Sequence, residues 1–305
     1  MADNWRMLDL TSFKGTLRNT KNRLQVISGE TGEISVEALN DINIIFIGLG
    51  VQINQAVMYH LATKDVVTLF CDWKGLPVSG MYPWVNAHGR VAARQRAQAA
   101  LSLPRSKNAW SRIVKAKIRG QANNLESLRM PNAKRLRELA SGVKSGDPSN
   151  IEAQAAKIYW SSLFKGECFR RMPGEGIDIR NSLLDYGYTI LRGHSVRAVL
   201  SAGLTPALGL YHKNLANAFA LADDLIEPYR PAIDYAVVAI SPEATLSDSH
   251  VKQSLLKATL ATFREDGASI PTVMVESAQL FGRYVEGEEA LFSPFVWQPG
   301  LSEKV

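Results

Sequence analysis

The chain has 305 residues, a net charge of +6 and 46% hydrophobic residues, values typical of a globular protein large enough for two domains. No apolar run approaches the ~18 residues of a membrane span, and the first residues lack the apolar segment of a signal peptide, so we expect a cytoplasmic protein. Cys71 and Cys168 lie in no CxxC or Cys/His pattern, which argues against a disulfide framework and a zinc knuckle.

Residues 1–84 predict a small β-rich domain. Short runs rich in β-branched residues alternate with turn signals, which is the pattern of strands joined by hairpins. The predicted strands span residues 6–10, 16–19, 24–28, 33–37, 42–47 and 66–71. One helix is predicted at 52–63, and Tyr82-Pro83-Trp84 is interpreted as the linker to the next domain.

Residues 85–287 predict a larger helical domain, because the period of the apolar residues changes from two to about 3.6. Its predicted helices span residues 88–102, 107–127, 133–141, 151–169, 179–202, 217–226, 250–265 and 270–286. Residues 288–305 are predicted to form a C-terminal loop or tail. The predicted fold class is α+β, with a β-rich domain followed by an all-helical one.

Positive charge is concentrated between residues 89 and 137. This segment holds thirteen basic residues and a single acid, Glu126, which gives a net charge of +12 and leaves −6 for the rest of the chain. A solvated helical face usually mixes both signs, whereas one nearly pure sign is best explained by a polyanion whose phosphates neutralise it. The charge pattern therefore predicts nucleic-acid binding.

Glu152, His212 and Glu227 form a candidate metal site. One imidazole and two carboxylates suit Mg²⁺ or Mn²⁺ better than a structural zinc, and they leave coordination positions open for phosphate oxygens and water. Two simpler interpretations stay open. Glu152 also completes a capping box that begins at Ser149, and a lone histidine such as His212 is usually hydrogen-bonded packing.

The spacing of His212 and Glu227 constrains the chain between them. Fifteen residues of continuous helix would separate the two side chains by ~22 Å, too far for a shared ion. We therefore expect a break within 213–218, a second helix from about Asn217, and Pro228 ending that helix at Glu227. The apolar spacing of the second helix predicts four inward-facing residues, namely Leu215, Phe219, Leu221 and Leu225.

Four ordered motifs carry a resemblance to a known family. They span residues 152–160, 180–191, 203–212 and 221–231, and the strand-like runs 42–47 and 66–75 of the first domain add to them. With these motifs the chain resembles the CRISPR-associated spacer integrase, the larger of the two universal adaptation proteins. It looks most like the type II branch, because Glu227 stands where many relatives have Asp.

The resemblance implies a fold, a site and an activity. It implies an N-terminal β-sandwich-like domain that serves dimerisation and a helical catalytic domain with Glu152, His212 and Glu227 as ligands of Mg²⁺ or Mn²⁺. The implied reaction is strand transfer, in which a 3′-hydroxyl of a short protospacer duplex attacks a phosphodiester of a CRISPR repeat. The implied assembly is two homodimers bridged by a small companion protein.

The basic segment fits a role in holding this DNA. Six residues are predicted to contact it: Arg112, Lys115 and Arg119 at i, i+3 and i+7 of one helical face, Lys117 beside them, and Arg90 and Arg94. Two alternative functions stay open at this point. A metal-dependent DNA endonuclease would use the same ligands with water as the nucleophile, and a noncatalytic DNA-binding scaffold would not need the three ligands together.

Overall fold

The computed structural model describes residues 6–21, 23–73, 75, 77–83, 89–175, 178–212, 214–246 and 248–301. By its internal contacts the chain divides into two compact units, Met1–His88 and Gly89–Val305. The predicted linker residue Trp84 and the predicted helix start at 88 lie outside the described residues. None of the described helices is long and apolar enough to cross a membrane.

The described part of the first unit contains two four-stranded sheets, one α-helix and a short 3-10 helix at Leu39–Asp41. Its elements are β1 (Arg6–Leu10), β2 (Gly15–Thr20), β3 (Arg23–Ser28), β4 (Ile34–Ala38), β5 (Ile42–Ile47), β6 (Val51–Ile53), α1 (Gln55–Thr63), β7 (Val67–Cys71) and β8 (Pro77–Met81). One sheet has the order β1-β5-β7-β8, with β5 parallel to both neighbours, and the other has the order β4-β3-β2-β6. Both sheets and α1 contribute to one apolar core, to which Leu17, Ile45 and Leu61 belong.

All six predicted strands of this unit are present, and two further strands were missed. β6 has only three residues and exists because it pairs with β2, about 35 positions earlier in the chain, so no local signal marks it. β8 contains Pro77 and Gly80, which lower strand propensity, and it lies at a sheet edge where proline is tolerated. The helix begins at Gln55 rather than at residue 52, because Asn54 caps it by accepting the N–H of Val57 at 3.0 Å.

The second unit is built from helices. They are α2 (Val91–Ala99), α3 (Leu103–Ser127), α4 (Ala133–Gly142), α5 (Ile151–Leu163), α6 (Ile179–Ser201), α7 (Ala220–Leu225), α8 (Arg230–Val238), α9 (Ser249–Thr259) and α10 (Ile270–Glu286). Each of the eight predicted helices has a counterpart, and α8 was missed. Pro231 lies in the first turn of α8, a position that tolerates proline because the N–H groups there have no partner within the helix.

Close packing around α6 and α3 holds this unit together. A Cβ on Gly187 of α6 would lie 2.4 Å from Cγ2 of Ile233 on α8, so only glycine allows this approach. The irregular segment after α10 also packs inward, since Trp297 is buried and donates its indole N–H to Asn124 of α3 at 2.8 Å. Asn124 in turn donates to the hydroxyl of Tyr159 on α5 at 2.9 Å.

The described residues between α6 and α7 (202–212 and 214–219) are not helical, so the predicted break between His212 and Glu227 is confirmed. α7 begins at Ala220 rather than at Asn217 and ends at Leu225, and Glu227 lies in the turn before α8. Leu221 and Leu225 are buried as predicted. The prediction for Leu215 is wrong, because this residue precedes the helix and is fully exposed.

Candidate active site

Glu152 lies in the first turn of α5, and a different residue from the predicted one caps this helix. The carboxylate of Asp147 accepts the backbone N–H groups of Ile151 and Glu152, both at 2.9 Å. The N-cap residue, which directly precedes the helix, is Asn150; its φ of 50° is left-handed, and its side chain forms no cap hydrogen bond. The capping-box interpretation of Ser149 and Glu152 is therefore wrong, and the carboxylate of Glu152 is available for another contact.

That contact is with Lys117, which also binds the second predicted ligand. Nζ of Lys117 lies 2.6 Å from Oε1 of Glu152 and 2.6 Å from Oε2 of Glu227. The other carboxylate oxygen of Glu227 lies 3.1 Å from Nε of Arg230. We call Glu152 and Glu227 the carboxylate pair. It is assembled from α5 and the α7–α8 turn around one ammonium group from α3.

In this cluster the opposite charges favour the ionised forms of Lys117 and Glu227, although both side chains are largely buried. Burial disfavours the ammonium of Lys117, but the carboxylates of Glu227 and Glu152 outweigh this effect and raise the pKa of Lys117. Burial likewise disfavours the carboxylate of Glu227, but Arg230 and Lys117 outweigh it and lower the pKa of Glu227. Arg230 and Lys117 therefore favour the ionised form of Glu227, which is the form that binds a metal ion.

His212 is oriented by a buried carboxylate. Its Nδ1 lies 2.6 Å from Oδ1 of Asp224, a fully buried residue of α7. Asp224 also accepts the backbone N–H groups of Leu210 at 2.5 Å and Tyr211 at 3.1 Å, so one carboxylate holds both the loop and the imidazole. The hydrogen bond to Asp224 raises the pKa of His212. The ring of Tyr211 stacks on Trp110 of α3 at 4.4 Å.

The structure brings two of the three predicted ligands together. Glu152 and Glu227 meet at Lys117, whereas His212 is paired with Asp224 and is near enough for Glu227 to contribute to its raised pKa. Within the described ranges, no three His, Cys, Asp or Glu side chains stand close enough to hold one ion in this arrangement.

The chemistry of the donors nevertheless fits a divalent cation. The two carboxylates already face a single positive charge. His212 engages a carboxylate through Nδ1 and keeps Nε2 for another partner, as metal-binding histidines usually do.

A cavity of about 520 Å³ lies beside the carboxylate pair. Lys117, Arg230 and Asp234 form part of its wall. Its other polar and aromatic walls come from Lys157, Trp160, Phe169, Arg170, Arg171 and Tyr188. Cationic and aromatic side chains in one concave site suit a phosphate with an unstacked base.

The predicted DNA contacts separate into three groups. Arg112, Lys115 and Arg119 line a groove of about 550 Å³ together with Lys144, which we call the basic groove. Lys117 lies elsewhere, because two helix positions after Lys115 correspond to a rotation of about 200°. Its predicted role beside these residues is corrected by its contacts with the carboxylate pair.

The predicted contacts Arg94, on α2, and Arg90, which directly precedes α2, differ from each other. Arg94 is buried, with Nη2 2.9 Å from Glu286 and Nη1 donating to the carbonyl of Ala202 at 2.7 Å. The prediction that Arg94 contacts DNA is therefore wrong, because its guanidinium stabilises the packing of α2 on α10. Arg90 is 63% exposed and also pairs with Glu286, at 3.1 Å, so it keeps a surface position.

Comparison with known families decides the classification. The family model described as CRISPR associated protein Cas1 matches residues 8–264. The chain belongs to the Cas1 family. It is 36% identical over 264 residues to the CRISPR-associated endonuclease Cas1 of Neisseria meningitidis serogroup C, covering 83% of this chain and 82% of that protein. It is 29% identical over 237 residues to a Cas1 endonuclease of Francisella tularensis subsp. novicida, covering 70% and 73%.

Solved structures share the Cas1 fold. A casposase bound to integration product superposes with a TM-score of 0.78 at 18% identity, covering 96% of this chain and 93% of that one. A Cas1 protein from Thermotoga maritima superposes with a TM-score of 0.76 at 19% identity, covering 94% and 99%. At such identities the likeness concerns the fold alone.

Several residues of this Cas1 site escaped the sequence argument. Lys117 was assigned to DNA contact, and Arg230 received no role at the site. Asp224 was expected from the sequence to accept N–H groups rather than to bind a metal directly, and it does accept two backbone N–H groups. The pairing of Lys117 with Glu152 spans 35 positions, and no local pattern marks a partner at that distance.

Proposed function

We propose that this Cas1-family chain joins the 3′-hydroxyl of a short protospacer duplex to a phosphodiester of a CRISPR repeat. The observation that carries the proposal is the carboxylate pair, which meets around one positive charge beside a cationic and aromatic cavity. Family membership supplies the context, because its curated members are named CRISPR-associated endonucleases and a casposase bound to integration product shares the fold.

The proposed ligands of Mg²⁺ or Mn²⁺ are Glu152, His212 and Glu227. The bound ion would polarise the scissile phosphate and lower the pKa of the attacking hydroxyl. The side chains around it have their own tasks. Asp224 holds the His212 ring so that Nε2 faces away from Asp224, and Arg230 offsets part of the negative charge of Glu227.

The DNA is proposed to occupy two surfaces. The basic groove suits the phosphate backbone of a duplex, since Lys115 and Arg119 have no ion-pair partner among the residues that the structure describes. The cavity beside the carboxylate pair suits an unpaired end, because its aromatic walls offer stacking and its cations offer phosphate contacts. Such surfaces hold DNA without reading its sequence.

The proposed assembly is a homodimer formed through the β-rich domain of residues 1–84, with two dimers bridged by a small companion protein. Residues 85–287 are proposed as the catalytic and DNA-binding domain and 288–305 as the tail. Two attacks on opposite strands require two active sites at a fixed separation. A structure of a Cas6-RT-Cas1–Cas2 complex, whose TM-score to this chain is 0.74 at 16% identity, supports the presence of a partner protein.

A metal-dependent endonuclease is the second candidate, because the curated relatives carry that name. It would use the same side chains with water as the nucleophile. A noncatalytic scaffold is less well supported, since such a protein would have no need for two carboxylates converging on one buried charge.

The test is strand transfer of an end-labelled protospacer duplex into a plasmid that carries a repeat, with Mn²⁺ and with or without the companion protein. Joined strands support integration, whereas free ends alone support the endonuclease. His212→Ala is expected to reduce joining by at least about 100-fold, because the ligand acts on the reacting phosphate. Its affinity for protospacer DNA should stay within about twofold, since the basic groove is unchanged. An equal loss of DNA affinity would contradict this division of roles.

A further inference from the structure

We propose that Lys117 and a divalent cation compete for the carboxylate pair, so that Lys117 serves as an internal cation that must move before the metal binds. The inference rests on the proposed function, because it takes Glu152 and Glu227 as metal ligands. It adds a role for a residue of α3 that is not itself a ligand.

The contacts of Lys117 place its charge between the two carboxylates. Nζ is 2.6 Å from one oxygen of Glu152 and 2.6 Å from one oxygen of Glu227. An ion bound by both oxygens would need distances of ~2.0–2.6 Å to them, so it would occupy much the same space as the ammonium. The two cations therefore exclude each other.

Because these side chains are largely buried, the pairing of Lys117 with the two carboxylates contributes to the stability of the folded protein. The side chain of Glu227 is 5% exposed and that of Lys117 is 15% exposed, so water screens the charges poorly. Without Lys117 the two neighbouring carboxylates would repel each other in a poorly solvated site, with Arg230 left to offset part of the charge of Glu227. Lys117 relieves this in the metal-free protein, and a doubly charged ion relieves it more strongly.

The cavity offers space for the side chain of Lys117 once a metal ion has displaced it. Lys117 lines the 520 Å³ cavity beside the carboxylate pair, and a lysine side chain turns on four flexible carbons more readily than an arginine fork. Displaced from Glu152 and Glu227, its ammonium would face the cavity that we assign to the DNA end. Metal binding would then release a positive charge toward a phosphate.

The first experiment measures Mn²⁺ binding without DNA, by electron paramagnetic resonance of free Mn²⁺, for the wild type, Lys117→Met and Lys117→Gln. Lys107→Met on the same helix is the matched control, since Lys107 is exposed and lies outside the site. Removing the competing cation is expected to tighten Mn²⁺ binding roughly tenfold in both Lys117 variants. In EDTA the same variants should melt at least about 3 °C below the wild type, and Mn²⁺ should reverse the difference.

The second experiment needs no variant, which keeps the proposal testable if the Lys117 variants fail to fold. Amine labelling of the wild type, read by mass spectrometry, should show slow modification of Lys117 without metal and faster modification with saturating Mn²⁺. Lys107 serves as the internal reference and should not change. Labelling of Lys117 that is the same with and without bound Mn²⁺ would overturn the proposal.

The outcomes distinguish failure of the proposed competition from failure of the proposed metal-dependent function. If wild type and Lys117→Met bind Mn²⁺ equally well, the metal site stands and the competition is refuted. If neither binds Mn²⁺ while both stay folded, the metal-dependent function itself fails, and the competition fails with it. Tighter binding in the variants together with faster labelling of Lys117 supports both.

Discussion

Folding raises the pKa of the Asp234 carboxyl group on α8, so that it ionises at a higher pH than in the unfolded chain. Asp234 is 1% exposed, and the hydroxyl group of Tyr188 donates a hydrogen bond to Oδ1. Burial raises the pKa of Asp234 to about 7, although hydrogen bonds from Tyr188 and Tyr159 act in the opposite direction. The folded chain therefore holds a proton near neutral pH that the unfolded chain has already lost.

Asp234 is expected to make the folded protein less stable as pH rises. Its contribution is complete below the unfolded pKa of 3.8 and is lost as pH rises to about 7. The shift corresponds to a loss on the order of 4 kcal/mol over that range. Asp234→Asn lacks this titration, so the difference in unfolding free energy between wild type and variant should narrow with rising pH. Urea denaturation from pH 4 to 8 measures it, and parallel curves would refute the shift.

At the scale of single elements, the start of α5 depends on Asp147, which binds two of the helix N–H groups. Asp147→Gly is expected to destabilise the protein by about 1 kcal/mol, because glycine keeps the positive φ of 48° but removes the cap. Ser149→Ala is the control and should change stability by less than about 0.5 kcal/mol. Chemical denaturation of both variants provides the measurement. A larger effect of Ser149→Ala would restore the capping box.

α3 presents different chemistry on two sides, with Lys117 toward the carboxylate pair and Lys115 and Arg119 toward the basic groove. Charge reversal of Lys115 and Arg119 is expected to weaken DNA binding equally for unrelated sequences. The plot of log affinity against log salt concentration has a negative slope, and its magnitude should decrease by about 0.9 for each lost phosphate contact. Binding titrations at several salt concentrations measure this. Lys134→Glu on α4 is the control, and an equal effect there would mean that only net charge matters.

At the scale of the whole molecule, the excess charge of residues 89–137 is partly neutralised by acids from other segments. Arg90 and Arg94 pair with Glu286 of α10, and Lys117 pairs with Glu152 and Glu227. Such pairs fix helices to one another. Arg112, Lys115 and Arg119 of the basic groove belong to the part of the excess that remains for a polyanion.

The β-rich unit exposes an apolar strand edge. β4 is an edge strand, and Ile34 and Val36, which alternate onto the same side of it, are 58% and 47% exposed. If this unit forms the homodimer, replacing both residues by Glu is expected to shift the protein to monomer in light scattering after gel filtration. Leu215→Glu, at a fully exposed position of the helical unit, is the control. A dimer that survives the double substitution would place the interface elsewhere.

The sequence determined the local features and the kind of chemistry. Alternation of period two and of about 3.6 predicted the strands and most helices, because these patterns report which face of an element is buried. The break between His212 and Glu227 was predicted from the ~22 Å length of a continuous helix and from the premise that both residues bind one ion. The motifs gave the family, and the type and order of the donors pointed to a divalent cation.

Only the tertiary structure decided which side chains meet. Asp147 caps α5 in place of Ser149, because its carboxylate lies within reach of the N–H groups of Ile151 and Glu152. Arg94 is an interior residue because α2 packs on α10, where Glu286, 192 positions later in the chain, pairs with it. Lys117 turned from a predicted DNA contact into the cation between two carboxylates. The physical reason is common to these cases: a sequence fixes the direction of a side chain only relative to its own helix, and packing against distant helices decides what stands in that direction.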